Sequence, residues 1–394
     1  MLRTVLIVSL ISLVLCGLAG AGFWVGRQSI RAEFRGLLDS AERVESLGNM
    51  FDETAITDRL LAIQRDGYHL AYEAETSIRE RRYQTAWAGR VVYAPFVNYL
   101  QWPDTGVYQI NGLQFRADRE LVLPPSEGVF RIFITGGSTA FGTGSPEYGH
   151  TIGGFLQARL NEAAGPATGL RYEVYTMANP GWSTTHERIV IENRLSELGP
   201  DLVLSFSGNN DVYWGYEGHD ILWYQDLVAT FYRALLNRVY ELAGSPAMPP
   251  VATAKEAPVP PAQVARRLAK NVGLARCALA DAGIPYVFAL QPSLPVSKKP
   301  LSDYEAAFLQ QPWIEHFQAA YGLIDEILAA RESVGFGFIN LAPVFDGAGA
   351  TEEIFLDSFH FGDRGNRLLA EALYRELARQ KLLQPGAVKP EVCF

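Results

Sequence analysis

The chain has 394 residues, 48% of them hydrophobic and 20% charged, with a net charge of −9. That length holds two or three compact units, or one large α/β domain with additions, and the near-average composition excludes a largely disordered, collagenous or multi-pass membrane chain. The acidic balance argues against nucleic acid as a partner, because phosphate-backbone binding needs clustered Lys and Arg. Cys16, Cys277 and Cys393 lie far apart without a C-x-x-C pair, which excludes a small zinc site of the usual spacing and a disulfide scaffold.

The first feature in chain order is an apolar run from Val5 to Val25, set between Arg3 and Arg27. At about 1.5 Å per residue, such a run crosses a hydrocarbon core of roughly 30 Å. Two readings are open. Ala19-Gly20-Ala21 matches a small-residue cleavage site, as in a removed signal peptide. Phe23, Trp24 and Val25 instead prolong the run and place an interfacial aromatic, as in an uncleaved anchor. Residues 1–27 are therefore expected to be a membrane anchor or signal segment. Arg27, Arg31 and Arg35 after the run favour a cytoplasmic body by charge counting, whereas a signal-type terminus favours export.

Phe34, Leu37, Ala41, Val44 and Leu47 recur at three- and four-residue steps and predict an amphipathic helix. A second polar helical stretch covers about 58–88, so residues 28–90 read as a helical stalk or lead-in. Residues 91–127 read as irregular or short-stranded, and 91–394 as one domain.

From Arg131 strands and helices alternate. Arg131–Thr135, Arg171–Met177, Asp201–Ser207, Ile284–Leu290 and Gly337–Asn340 read as strands. Thr151–Ala163, His186–Leu198, Gln263–Ala282, Trp313–Ala330 and Arg364–Arg379 read as helices, the last with Asp363 placed to cap it. This alternation predicts an α/β fold, a parallel sheet with helices on both faces. The Pro- and Ala-rich stretch Ala243–Ala262 cannot sit inside a regular element and reads as a surface loop, part of an insertion over about 213–262.

Ligands of an open parallel sheet bind beyond the carboxyl ends of its strands. Four segments there carry chemistry. Gly136-Gly137-Ser138-Thr139-Ala140 follows the first strand; Thr143 and Glu147 stand where a phosphate loop and a dinucleotide fingerprint require Lys and Gly. What remains is a hydroxyl at a sharp strand-to-helix turn, akin to a nucleophile elbow, or a plain Gly-rich turn. Asn179-Pro180-Gly181 places a glycine N–H where an oxyanion donor is needed, or forms a tight turn. Gly208-Asn209-Asn210-Asp211 offers a side-chain amide for the same task, or an Asx-turn. Asp357-Ser358-Phe359-His360 sets a carboxylate three residues before an imidazole. It can hold Nδ1–H and free Nε2 to take a serine proton; the other reading is a helix cap beside a surface histidine.

Together and in this order, these segments resemble the SGNH (GDSL-like) hydrolase superfamily, in the version with GGS in place of GDS, over about residues 128–383. The resemblance implies a flavodoxin-like three-layer α/β/α domain. It implies Ser138 as nucleophile, His360 as base, Asp357 as its orienter, and Gly181 and Asn210 as oxyanion donors beside the Ser138 N–H. Gly137 departs from the usual Asp before the serine, a residue outside the triad. Gln109-Ile110-Asn111-Gly112-Leu113-Gln114-Phe115-Arg116, followed by RIFITGGSTAFG, is similar to the upstream segment of membrane-anchored bacterial SGNH proteins, which often serve exported polysaccharides.

The resemblance implies a serine esterase that removes acyl groups, acetyl in particular, from a carbohydrate outside the cytoplasmic membrane. The alternatives are an O-acyltransferase using the same acyl-enzyme and a non-catalytic, membrane-tethered scaffold. No cofactor or metal is expected, since no H-E-x-x-H or comparable ligand set occurs. His150, His186 and His219 lie near the turns and either line the site or serve as packing or surface groups. Tyr213, Trp214, Tyr216 and Trp223 follow the third turn and suit either core packing or stacking on a sugar ring or acyl chain.

Overall fold

The computed structural model describes residues 91–94, 97–101, 108–143, 145, 147–218, 257–352, 354–386, 390 and 393, with isolated positions between 24 and 32 and between 237 and 244. The expected membrane segment 1–27 and stalk 28–90 lie almost wholly outside them, as do His219, Trp223 and most of the expected loop 213–262. Among the described residues no helix is long and apolar enough to cross a membrane. The chain divides into two compact units, Met1–Met50 with Asp226–Val251, and Phe51–Gln225 with Ala252–Phe394. The second holds every candidate site residue.

That unit begins with an antiparallel pair, β1 (Val91–Ala94) and β2 (Asn98–Gln101), with Val91 opposite Gln101. The main sheet follows: β3 (Val129–Gly136), β4 (Arg171–Ala178), β5 (Leu202–Ser207), β6 (Tyr286–Leu290) and β7 (Phe336–Asn340). Its order is β4-β3-β5-β6-β7, and every neighbouring pair is parallel. Counted within the sheet this is 2-1-3-4-5, the flavodoxin-like winding, whose strand order reverses between β3 and β5.

Its strands are apolar on both sides because helices cover both faces. On one face Phe133, Tyr175, Val203, Phe288 and Phe338 pack with α4 (Thr184–Asn193), α6 (Pro261–Asp281) and α8 (Ile314–Ala329). In α6, Val264, Leu268 and Val272 recur every four residues and are buried, which lays one stripe of that helix on the sheet. On the other face Ile132, Ile134, Val174, Leu204, Val287 and Ile339 meet α2 (Ile152–Ala163) and α9 (Asp363–Arg379). Leu369, Leu373 and Leu377 form the corresponding stripe of α9. The shorter helices are α1 (Ser138–Phe141), α3 (Gly165–Thr168), α5 (Asn209–Tyr216) and α7 (Asp303–Ala307).

Several boundaries differ from expectation for local reasons. The α6 helix starts at Pro261 rather than Gln263, because proline at a first helical position loses no intrahelical bond. In α9 the cap position belongs to Gly362, and Asp363 is the first helical residue, buried, with its carboxylate 3.9 Å from His150 Nδ1. It does not cap the helix. The expected loop insertion loses both ends to helix, since Tyr213–Tyr216 belongs to α5 and residues 261–262 to α6. Cys277 of α6 is bonded to Cys393, a cross-link over 116 positions that cysteine spacing did not reveal. It is a single bridge on a large core rather than a scaffold. Pro390 lies against Gly335, where an added Cβ would come within 2.4 Å of the proline Cα.

Candidate active site

The turns after β3, β4 and β5 leave three adjacent strands at one level of the sheet. Gly136 is in register with Ala178 on one side and Phe206 on the other. Ser138, Gly181 and Asn210 follow those strand ends within a few residues, beside the point where strand order reverses. The first turn is sharp because Gly136 has no side chain. A Cβ there would lie 2.2 Å from Phe206 O and 2.6 Å from the Ala140 Cβ.

The fourth segment reaches the same place from beyond β7. His360 Nε2 lies 2.8 Å from Ser138 Oγ, and His360 Nδ1 lies 2.8 Å from Asp357 Oδ2. His360 is buried, 1% exposed, so it is not a surface histidine. Asp357 Oδ1 accepts the backbone N–H groups of Phe359 at 2.7 Å and His360 at 2.8 Å. Burial raises the Asp357 pKa, but the His360 charge and these hydrogen bonds outweigh it, and the net shift is downward. Asp357 is thus a carboxylate and only accepts, so Nδ1 carries the ring hydrogen. Nε2 is then the acceptor for the serine O–H.

The second and third turns are tied together. Gly181 has φ +80°, a left-handed conformation that glycine adopts freely. Neither its N–H nor that of Ser138 is taken by an acceptor among the described residues. Asn210 Nδ2 donates to Trp182 O at 2.7 Å, which leaves its second N–H for a ligand. Trp182 is fully buried and donates its indole N–H to Val97 O, and Trp214 donates to Gly181 O. Asp211 accepts Thr184 N–H at 2.9 Å and the Thr184 hydroxyl at 2.5 Å, joining α5 to the start of α4. His186, near the second turn, is buried. Its Nδ1 accepts Ser183 N–H, and burial lowers its pKa to about 3, so it is a neutral structural group. Tyr213 packs edge-on against Trp214, Trp313 and Phe359, the residue next to His360.

Three supports of this site lie outside the four catalytic segments. Arg116 is buried and donates to Phe141 O at 2.7 Å, Gly142 O at 3.0 Å and Ser145 O at 2.6 Å, holding the far end of the serine turn. Its guanidinium lies over the Tyr108 and Phe141 rings, and burial lowers its pKa to about 10. The Gln109–Arg116 motif was the only sequence signal for it. The Lys299–Glu305 ion pair, fully buried at 2.7 Å, braces the approach to Asp357: Glu305 Oε1 accepts Ile354 N at 3.0 Å and Phe355 N at 3.2 Å. Behind the oxyanion turns lies Glu187, buried, with the Ser207 and Ser205 side chains beside its carboxyl group.

Burial pushes the Glu187 carboxyl up from 4.5 to about 8; hydrogen bonds from Ser207 and Ser205 hold it back in part, and the neighbouring Asp211 charge adds to the rise. Between those two values the folded chain holds a proton that the unfolded chain has lost, so stability falls as pH rises. Each pH unit within that window removes at most about 1.4 kcal/mol. Glu187→Gln is expected to flatten the decline in melting temperature between pH 5 and pH 8, as read by calorimetry at several pH values. Parallel wild-type and variant profiles would refute the assignment.

Fold and site together define an α/β domain of doubly wound topology with a hydrogen-bonded Ser-His-Asp arrangement at its strand-order reversal. No family model matches the chain, and no curated protein matches it in sequence. Solved structures do resemble it. LAE5, an α/β hydrolase enzyme from the metagenome of Lake Arreo, is 14% identical with a TM-score of 0.40, covering 65% of this chain and 96% of its own. The acetyl xylan esterase AlAXEase is 13% identical with a TM-score of 0.36, covering 63% and 100%. The lipase Lip_vut3 from a goat rumen metagenome is 14% identical with a TM-score of 0.41, covering 64% and 99%. Among the described residues no group of three or more His, Cys, Asp or Glu side chains is placed to hold a metal ion.

Proposed function

We propose that the chain is a serine esterase of the SGNH (GDSL-like) type, removing acyl groups, acetyl in particular, from a carbohydrate outside the cytoplasmic membrane. The observation that carries this reading is the unbroken hydrogen-bonded series Ser138 Oγ, His360, Asp357. Serine is too weak an acid to attack an ester unaided, and a positioned imidazole with an oriented tautomer supplies the base. In the proposed reaction Ser138 Oγ attacks the ester carbonyl as its proton passes to His360 Nε2. The carbonyl oxygen, now negative, is met by the Ser138 and Gly181 N–H groups and the free amide hydrogen of Asn210. His360 returns the proton to the leaving alcohol, and water repeats the sequence to release the acid from the acyl-enzyme.

The carbohydrate assignment draws on the resemblance of the lead-in and on the half-buried aromatic cluster of Tyr213, Trp214 and Phe359, the last of which precedes His360 in the chain. Export is supported by the Cys277–Cys393 bond, since disulfides persist in oxidising compartments. A fluorophosphonate probe is expected to label Ser138 of the wild-type protein and to leave Ser138→Ala unlabelled; equal labelling of both sinks the esterase reading. A charged, membrane-impermeant form of the probe should label cells stripped to an intact cytoplasmic membrane. Labelling only after lysis would place the site inside and overturn export. Acylated sugar formed in place of free acid, when an ester donor and an oligosaccharide are supplied together, would reassign the reaction as acyl transfer.

A further inference from the structure

We infer that Gly137 is a positioning residue for the Asn210 amide, and that the second glycine of the G-G-S turn is there because that amide occupies the space of its side chain. The inference rests on the esterase reading, in which Asn210 is an oxyanion donor.

Gly137 does not need to be glycine for its backbone. Its φ of −86° and ψ of −154° are extended values open to any residue. Its space is another matter. A Cβ at this position would lie 2.4 Å from Asn210 Nδ2 and 3.2 Å from Trp182 O, the very carbonyl to which that amide is bonded. Carbon and nitrogen meet without overlap only near 3.5 Å, so a methyl group requires a displacement of about 1 Å. The backbone of the turn cannot supply it, because Gly136 is held in register by strands on both sides and already lies against Phe206 O. Trp182 O cannot retreat either, since its indole is buried and anchored on Val97 O. The atom free to move is Asn210 Nδ2, which is the donor.

This accounts for the departure at Gly137 from the aspartate usual in the superfamily that the chain resembles. An aspartate has a Cβ as well as a carboxylate, and in this chain it would displace the amide before its charge entered the matter. The glycine lets Asn210 sit directly over the turn, one N–H on Trp182 O and the other turned toward the oxygen of an ester at Ser138.

The test is a double-mutant cycle on the full chain with p-nitrophenyl acetate. Gly137→Ala is expected to lower kcat about 10- to 100-fold with KM within about twofold, as a 1 Å misplacement of a catalytic donor does. Asn210→Ala is expected to lower kcat about 10²- to 10³-fold, and the double variant to match Asn210→Ala within about threefold, because the displaced group is already gone. Wild-type kcat in Gly137→Ala, or a double variant that multiplies both losses, overturns the inference. If Gly137→Ala does not fold, Gly137→Ala with Asn210→Gly should fold, since the clash is removed; its failure to do so is equally fatal. If the wild-type protein turns over no ester, the esterase reading fails by itself. A crystal structure of Gly137→Ala then decides this inference alone: Asn210 Nδ2 is expected to leave Trp182 O, and an unmoved amide refutes it.

Discussion

Asp357→Asn is expected to lower kcat about 10⁴-fold while leaving the fold and KM nearly unchanged, an effect of the wrong imidazole tautomer. The local geometry makes this variant more decisive than removal of the side chain. One carboxylate oxygen accepts the Phe359 and His360 N–H groups, and the other faces His360 Nδ1. An asparagine carbonyl remains with the two backbone donors, since its NH₂ cannot accept them. The NH₂ is thereby turned toward Nδ1 and donates to it. The ring hydrogen then moves to Nε2, which faces Ser138 Oγ as a donor and can no longer take its proton. Steady-state kinetics on p-nitrophenyl acetate, with circular dichroism to verify folding, measures this. Activity within about tenfold of wild type would mean that Asp357 does not set the tautomer.

Glu305→Leu is expected to cost about 3–5 kcal/mol of stability, because it strands a buried cation. Both side chains of the Lys299–Glu305 pair are fully enclosed. Glu305 is also the acceptor for Ile354 N, Phe355 N and Ser302 N, so its loss leaves three backbone donors unpaired as well as the ammonium. Among the described residues Lys299 then keeps Pro300 O as its one acceptor, without a counter-charge. At about 2–4 °C per kcal/mol for a large domain, the melting temperature should fall by roughly 10 °C. Lys299→Met added to Glu305→Leu should recover part of this, since the stranded charge is then gone. A single variant within about 1 kcal/mol of wild type would show that water reaches the pair. Ile354 and Phe355 lead directly into the Asp357–His360 segment, so the stability effect and the catalytic geometry share one anchor.

The parts of the site that were legible in the sequence are those whose chemistry is local. Ser138 follows an apolar strand through two glycines, and Asp357 is three residues from the histidine it holds, so the chain states both within a handful of positions. The alternation from Arg131 onward likewise predicts a parallel sheet, because buried strands and amphipathic helices differ in period. Strand order is another kind of information. It depends on which crossovers pack on which face, and only the resemblance pointed to it. What escaped reading is long-range and polar. Lys299 and Glu305 look like ordinary surface charges until the fold encloses them. Cys277 and Cys393 are joined across 116 positions, where no spacing rule applies. Asp363 looked like a cap because Asp often is one, but Gly362 takes the cap position and Asp363 is buried beside His150. The reason for Gly137 needed the position of Asn210, which lies on the neighbouring strand's turn.

The Arg116 clamp bears on where the smallest self-sufficient piece of this molecule begins. The alternating pattern and the resemblance both start near the first sheet strand, inviting a cut just ahead of Val129. Such a cut discards the donor to three carbonyls, Phe141 O, Gly142 O and Ser145 O, and the partner of Thr176, whose N–H and C=O both bond to the Arg116 backbone. It also discards Tyr108, one of the two rings enclosing the guanidinium. A fragment that keeps the serine turn in shape therefore starts upstream of Tyr108, inside what reads as irregular lead-in. The segment that looks most like packaging is, in physical terms, an inseparable part of the machine.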